Sequence, residues 1–280
     1  MRALVVPLAL AFALPTLAQE AAPPPPPPPT ATATTTTTTT PAATAPADAA
    51  APAAPVDPLQ EARDLVEVAA NTKENLKKAI SIYEAKLGDA SLSAKVRADG
   101  WADVSRAYLR LGDLETANAI KLAAYEKGQA AGKKGQAIDA KHTDSQFWAV
   151  ANMACVGRTN GVMNSLFMLG DLKKGLNALL AINPRHSYAR QTLGEIDHSV
   201  PGIAGGSDSR AEETYLSIMK SDPRFTPTMV NLAKFYKDKG EEDKAKEWAQ
   251  KAVAASNSSV PNDWRKFDKK EAQKVLKELE

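Results

Sequence analysis

The sequence predicts an all-α fold, a solenoid of antiparallel helix pairs stacked side by side. Three observations predict it. Two stretches near the C-terminal end carry one small/large pattern 34 residues apart, with Ala211, Tyr215 and Ile218 at the offset of Ala245, Ala249 and Ala252. From about Leu59 onward apolar residues recur at helical spacing, and alternating strand-like runs joined by turn dipeptides are absent. Breakers such as Asn183-Pro184 and the run Pro201 to Gly206 punctuate the chain at helix-length intervals. A helix-turn-helix unit of about 34 residues cannot bury its apolar face alone, so it stacks on its neighbours. That period makes the solenoid tetratricopeptide-like, an architecture that more often holds other molecules than transforms them.

The N-terminal end reads differently. Arg2 precedes the apolar run Ala3 to Leu14, and Thr16-Leu17-Ala18 places small residues where a signal peptidase reads. Residues 1–18 are expected to be a secretory signal cleaved after Ala18, with export to a periplasmic or cell-envelope space. Residues 19–58 hold the proline run Pro23 to Pro29 and the threonine run Thr34 to Thr40. With almost nothing bulky to bury, that segment cannot offset its ordering entropy and is expected to stay disordered. Residues 59–280 form the helical domain. The 35 Lys and Arg nearly balance the 33 Asp and Glu, and no basic stripe emerges, which argues against nucleic-acid binding. Cys155, without a second cysteine, excludes an internal disulfide, so helix packing must supply the stability.

Element by element, Leu65, Val68, Leu76, Ile80 and Tyr83 suit two short amphipathic helices broken near Asn71-Thr72. Trp101, Val104, Ser105 and Tyr108 share one helix face, and Leu111-Gly112-Asp113 reads as the turn to a partner helix carrying Ala117 and Ala124. Gly128 to Lys141, with Gly132 and Gly135, reads as an interrupted helix or loop. Ser145 to Asn164 forms a long segment that Leu166 to Leu169 extends, and Gly170-Asp171 reads as the next turn. Leu172 to Ile182 is a helix ended by Asn183-Pro184, and His186 to Val200 is another. Ser209 with Glu212 reads as a capping box, Thr226-Pro227 as the following start, and Asp268 with Glu271 as the start of a polar-backed terminal helix.

The order Phe147-Trp148, Asn152, Arg158, Asn183-Pro184, Leu193-Gly194, Pro201-Gly202 to Gly205-Gly206, then Ala211 and Tyr215 resembles the TatT proteins, the tetratricopeptide component associated with TRAP transporters. The resemblance runs from about Leu59 to Ala255. It implies an exported, non-catalytic accessory protein that partners an extracytoplasmic solute-binding protein. It also implies trimers and passage of a small hydrophobic or organic-acid ligand. The chain departs from the family in having no cysteine at its cleavage site and in carrying the long Pro/Thr segment. The alternative from the repeat alone is a general scaffold that assembles cell-envelope proteins on its concave face.

Candidate site residues follow from side-chain chemistry. Phe147, Trp148, Met153, Met163, Phe167 and Met168 supply apolar, adaptable surface, and Asn152 and Asn164 are polar groups within it. Arg158 is a candidate carboxylate anchor. Pro201, Gly202, Gly205 and Gly206 form a structural loop, since no strand precedes them and no lysine with Ser/Thr follows as a phosphate loop requires. His142, His186 and His198 lack metal-ligand spacing, and Asp197-His198 lacks a nucleophile to serve. Neither a metal nor a cofactor is expected.

Overall fold

The computed structural model describes residues 57–68 and 70–280. The expected segments 1–18 and 19–58 lie outside these residues, apart from Asp57 and Pro58. The described chain is all-α: α1 (Gln60–Glu67), α2 (Lys73–Lys86), α3 (Ala94–Asp113), α4 (Asn118–Ile138), α5 (Thr143–Thr159), α6 (Val162–Ile182), α7 (Ser187–Ser199), α8 (Asp208–Ser221), α9 (Thr226–Asp238) and α10 (Glu242–Ala254). A short turn of helix, α11 (Pro261–Asp263), runs through a π turn (Trp264–Asp268) into α12 (Lys269–Glu278). Antiparallel neighbours α3/α4, α5/α6, α7/α8 and α9/α10 pack in pairs, and α12 closes on α10.

The 34-residue repeat maps onto α8 and α10. Ala211, Tyr215 and Ile218 are buried in the first, and Ala245, Ala249 and Ala252 in the second. The break near Asn71-Thr72 is also where the sequence places it, and Thr72 Oγ1 caps α2 by accepting from Asn75 N at 3.2 Å. α6 ends at Ile182, before Asn183-Pro184.

Five local readings change. Gly128 to Ile138 is neither loop nor interruption but the second half of α4. Gly128, Gly132 and Gly135 recur at i, i+4 and i+7, so they form one stripe. A side chain on Gly132 would lie 2.7 Å from Ala149 Cβ and 2.8 Å from the Ser145 carbonyl, so the stripe exists to let α5 approach. Secondly, Leu111-Gly112-Asp113 is still helical, and Gly112 makes room for the Tyr125 ring rather than for a left-handed turn. Thirdly, the long apolar segment breaks at Asn160-Gly161, where Gly161 takes φ 101°, while Gly170-Asp171 sits inside α6. Lastly, α8 is capped by Ser207, whose Oγ accepts from Arg210 N at 3.3 Å, in place of Ser209. Asp268 caps nothing and accepts instead from Thr226 Oγ1 at 2.7 Å.

The face shared by α3, α7 and α9 is covered by the chain's own C-terminal segment. Tyr188 of α7 donates to Asp263 at 2.7 Å, and Arg110 of α3 lies 3.5 Å from the same carboxylate. The Arg110 guanidinium also sits over the Phe267 ring at 5.5 Å. Lys266 Nζ reaches the Val66 carbonyl at the end of α1 at 3.1 Å, tying the last repeat to the first. Burial, helped by the neighbouring Arg110 and Arg106, lowers the Lys266 pKa to about 8.

Candidate functional site

The structure separates the residues that the sequence groups. Phe147 and Trp148 are buried in the central core, edge-to-face at 5.0 Å, with Phe147 also 5.8 Å from Tyr188. Asn152 is fully buried, and its Nδ2 donates to Ser105 O at 3.0 Å, Ser105 Oγ at 3.2 Å and Trp148 O at 2.9 Å. It is therefore a pin between α5 and α3, seated in the gap that Gly128 leaves. A crevice among Phe147, Val150, Leu172, Leu176 and Ile196 has a volume of about 10 Å³, room for roughly one water and no solute. Met153 is partly buried against this core.

Arg158 does not offer a free fork. Its Nη2 lies 3.6 Å from Asp113 and 3.5 Å from Cys155 Sγ. Burial pushes the Cys155 thiol up to about 12, which leaves it inert.

The remaining candidates lie on α6. Met163 is 65% exposed and Phe167 79%, while Asn164 and Met168 are partly exposed. Met163, Phe167, Gly170, Lys174 and Asn177 recur at i, i+4, i+7, i+11 and i+14 and so share a stripe. That stripe leads into a groove of about 570 Å³ between α6, α7 and α8. Lys173 and Asn177 line it from α6, Leu193 and Asp197 from α7, and Arg210, Glu213, Thr214 and Ser217 from α8.

Asp197 organises one end of the groove. Arg210 grips it with Nε at 3.1 Å and Nη2 at 3.0 Å, and Lys173 adds a contact at 3.3 Å. Burial pushes the Asp197 carboxyl up, but the bonds from Arg210 and Lys173 outweigh it and hold the pKa below the usual value. Arg210 also donates to Gly205 O at 2.6 Å, which fixes the loop between α7 and α8. In that loop Gly202–Ala204 forms one 3₁₀ turn and Gly205 takes φ 92°. Gly206 is glycine for another reason, since the Val200 carbonyl occupies the place of a side chain.

Arg190 of α7, which does not line the groove, donates to the lining Ser217 Oγ at 2.6 Å and to Ser221 Oγ at 3.1 Å. Both hydroxyls spend their own protons on backbone carbonyls, those of Thr214 and Ile218. No motif around Arg190 marks it in the sequence. Its serine partners come from the next helix and meet it only on folding.

The histidines act in the framework. His142 and His186 cap α5 and α7, each Nδ1 accepting a backbone N–H at 3.2 Å. His198 turns away from Asp197 and binds Asp208 at 2.8 Å and Asp238 at 3.5 Å. The Asp197-His198 pairing suggested by adjacency is therefore absent. Among the described residues, no group of His, Cys, Asp and Glu is arranged to hold a metal ion, and no helix is long and apolar enough to cross a membrane. Neither a protein-family model nor a curated protein matches this chain.

Proposed function

We propose that the chain is an exported, non-catalytic binding protein that resembles TatT and serves a TRAP transporter together with its extracytoplasmic solute-binding protein. The observation that carries this reading is the α6 stripe: an exposed apolar pair, Met163 and Phe167, continues along one helix face into the α6–α7–α8 groove. A solute groove bordered by an unpaired apolar patch suits transfer between two proteins. In the groove Asp197 is held by Arg210 and Lys173, an arrangement for binding rather than proton transfer. The resemblance adds the trimer and the small organic ligand to the proposal.

The rival reading, a scaffold that assembles envelope proteins on its concave face, has less support. Asp263, Phe267 and Asp268 occupy the face shared by α3, α7 and α9 from within the chain, which leaves that face closed to a partner.

The test is a binding measurement by surface plasmon resonance between the full chain and a TRAP solute-binding protein from the same organism. Phe167→Asp is expected to weaken that complex roughly tenfold or more while circular dichroism stays unchanged. Undiminished binding by the variant would overturn the transfer surface. Native mass spectrometry of the purified chain checks in parallel for a co-purifying small molecule.

A further inference from the structure

We propose that residues 261–268 form a clasp that opens and closes as a unit over the α3/α7/α9 face, and that Lys266 keeps the clasp releasable.

Polar contacts, not apolar core, tie this stretch down. Its buried residues are the carboxylates Asp263 and Asp268, whereas Trp264 and Phe267 are only partly buried. Asp263 accepts from Tyr188, Asp268 accepts from Thr226, and Trp264 Nε1 donates to the Ala252 carbonyl at 2.8 Å. The flanking helices are anchored by themselves. Ala245, Ala249 and Ala252 of α10 and Ala272 and Val275 of α12 share one core, and Lys234 of α9 pairs with Glu271 at 2.8 Å. A stretch with little buried apolar surface between well-packed helices is where local opening comes first.

The charges of the closed state work against closure. Lys266 Nζ and Arg110 Nη1 donate to one neutral acceptor, the Val66 carbonyl, at 3.1 and 2.7 Å, so two cations meet there. Arg106 Nε and Arg110 Nε are buried without a hydrogen-bond acceptor among the described residues, and Arg110 Nη2 has its 3.5 Å ion pair to Asp263 in place of one. Buried donors left unbonded have lost solvation that opening restores. Arg110 and Arg106 of α3, Glu67 of α1 and Asp263 of the clasp itself face the Lys266 ammonium. Burial and the two guanidiniums outweigh the two carboxylates, taking its pKa from 10.5 down to about 8. Asp268, faced by Thr226, Lys234 and Glu271, is pushed by burial from 3.8 up to about 6.

The lowered amine penalises closure fully below about pH 8, and that penalty fades as pH rises to 10.5. The raised carboxyl penalises it fully above about pH 6, and that penalty fades as pH falls to 3.8. Both act together near neutrality, where the clasp is most readily released. Closed, it denies the face to a partner. Open, it uncovers Arg110, Tyr188 and Thr226.

Native-state hydrogen exchange by NMR on the full chain at pH 7 reads the opening directly. Amides of Trp264 to Asp268 should share one opening equilibrium and be roughly tenfold or more less protected than those of Leu232 to Tyr236 in α9. Lys266→Met should slow clasp exchange roughly threefold or more, although it removes the bond to Val66. Asp263→Asn, which strips Arg110 of its counter-ion, should speed it. In urea denaturation the gain from Lys266→Met should hold up to about pH 8 and shrink toward pH 10.5. Clasp amides as protected as those of α9 would end the idea of separate opening. Exchange unchanged or faster in Lys266→Met, or a gain that stays constant across that pH range, would remove Lys266 from the role.

Discussion

The seam where α4 meets α5 and the joint between α6 and α7 solve one packing problem in opposite ways. In the seam, glycines at 128, 132 and 135 leave one stripe of α4 bare, and Ser145, Ala149 and Asn152 of α5 fill the space to contact. In the joint, Lys173 and Asn177 of α6 and Leu193 and Asp197 of α7 line about 570 Å³ of open groove, which the Lys173–Asp197 ion pair bridges. The glycines of α6 do not alter this, and Gly170 has open space around it. A helix pair drawn together by small residues makes a closed wall, whereas one bridged by long polar side chains leaves a groove.

Substitution in the seam should break it most. Gly132→Val would press against backbone as well as Ala149, and overpacking without a flexible neighbour should lower unfolding free energy by about 3 kcal/mol. Urea denaturation measures this, and a loss below 1 kcal/mol would mean the seam has slack. Asn152→Ala comes next. It leaves the Ser105 and Trp148 carbonyls without their buried donor and should cost roughly 1–3 kcal/mol by the same method.

Gly170→Ala sharpens the contrast from the other side. At an open, mid-helix position of α6 the methyl group meets nothing, and the change should stabilise the fold by about 0.5–1 kcal/mol. Destabilisation there would show that the joint is packed after all. The smallest effect concerns pH. Hydrogen bonds to Asp238 and Asp208 raise the His198 pKa against the opposing pull of burial. A raised folded-state value means the contribution is full below the unfolded value of about 6.5 and is lost as pH rises through the folded one. The melting-temperature gap between the parent and His198→Gln should therefore close between pH 6 and 8, with under about 1 kcal/mol at stake. A gap that widens with pH would contradict the pairing.

The residues that were legible share one property: their neighbours in sequence explain them. Ala211, Tyr215 and Ile218 lie on one helix stripe, Thr72 caps the turn next to it, and Asn183-Pro184 stops its own helix. Gly132 reads as a breaker by local propensity, and only the approach of α5 makes it an asset. Arg158 stood out beside Gly157 yet is engaged by Asp113, brought from α3. Arg190 carried no signal because Ser217 and Ser221 become its partners through a helix pairing. Asn152 and Trp148 are legible as unusual residues, but the packing of α5 on α3 and α4 turns them into core.

By itself the sequence determined the all-α class, most of the helices, the 34-residue stacking unit and the amphipathic closing helix, because each is decided by periodicity within a turn or two of chain. The tertiary structure alone decided where helices touch, where they part, and that Asp263 and Phe267 would cross the face of the earlier repeats. Those outcomes depend on which side chains meet from distant positions, and close packing between helices sets that where local preference does not.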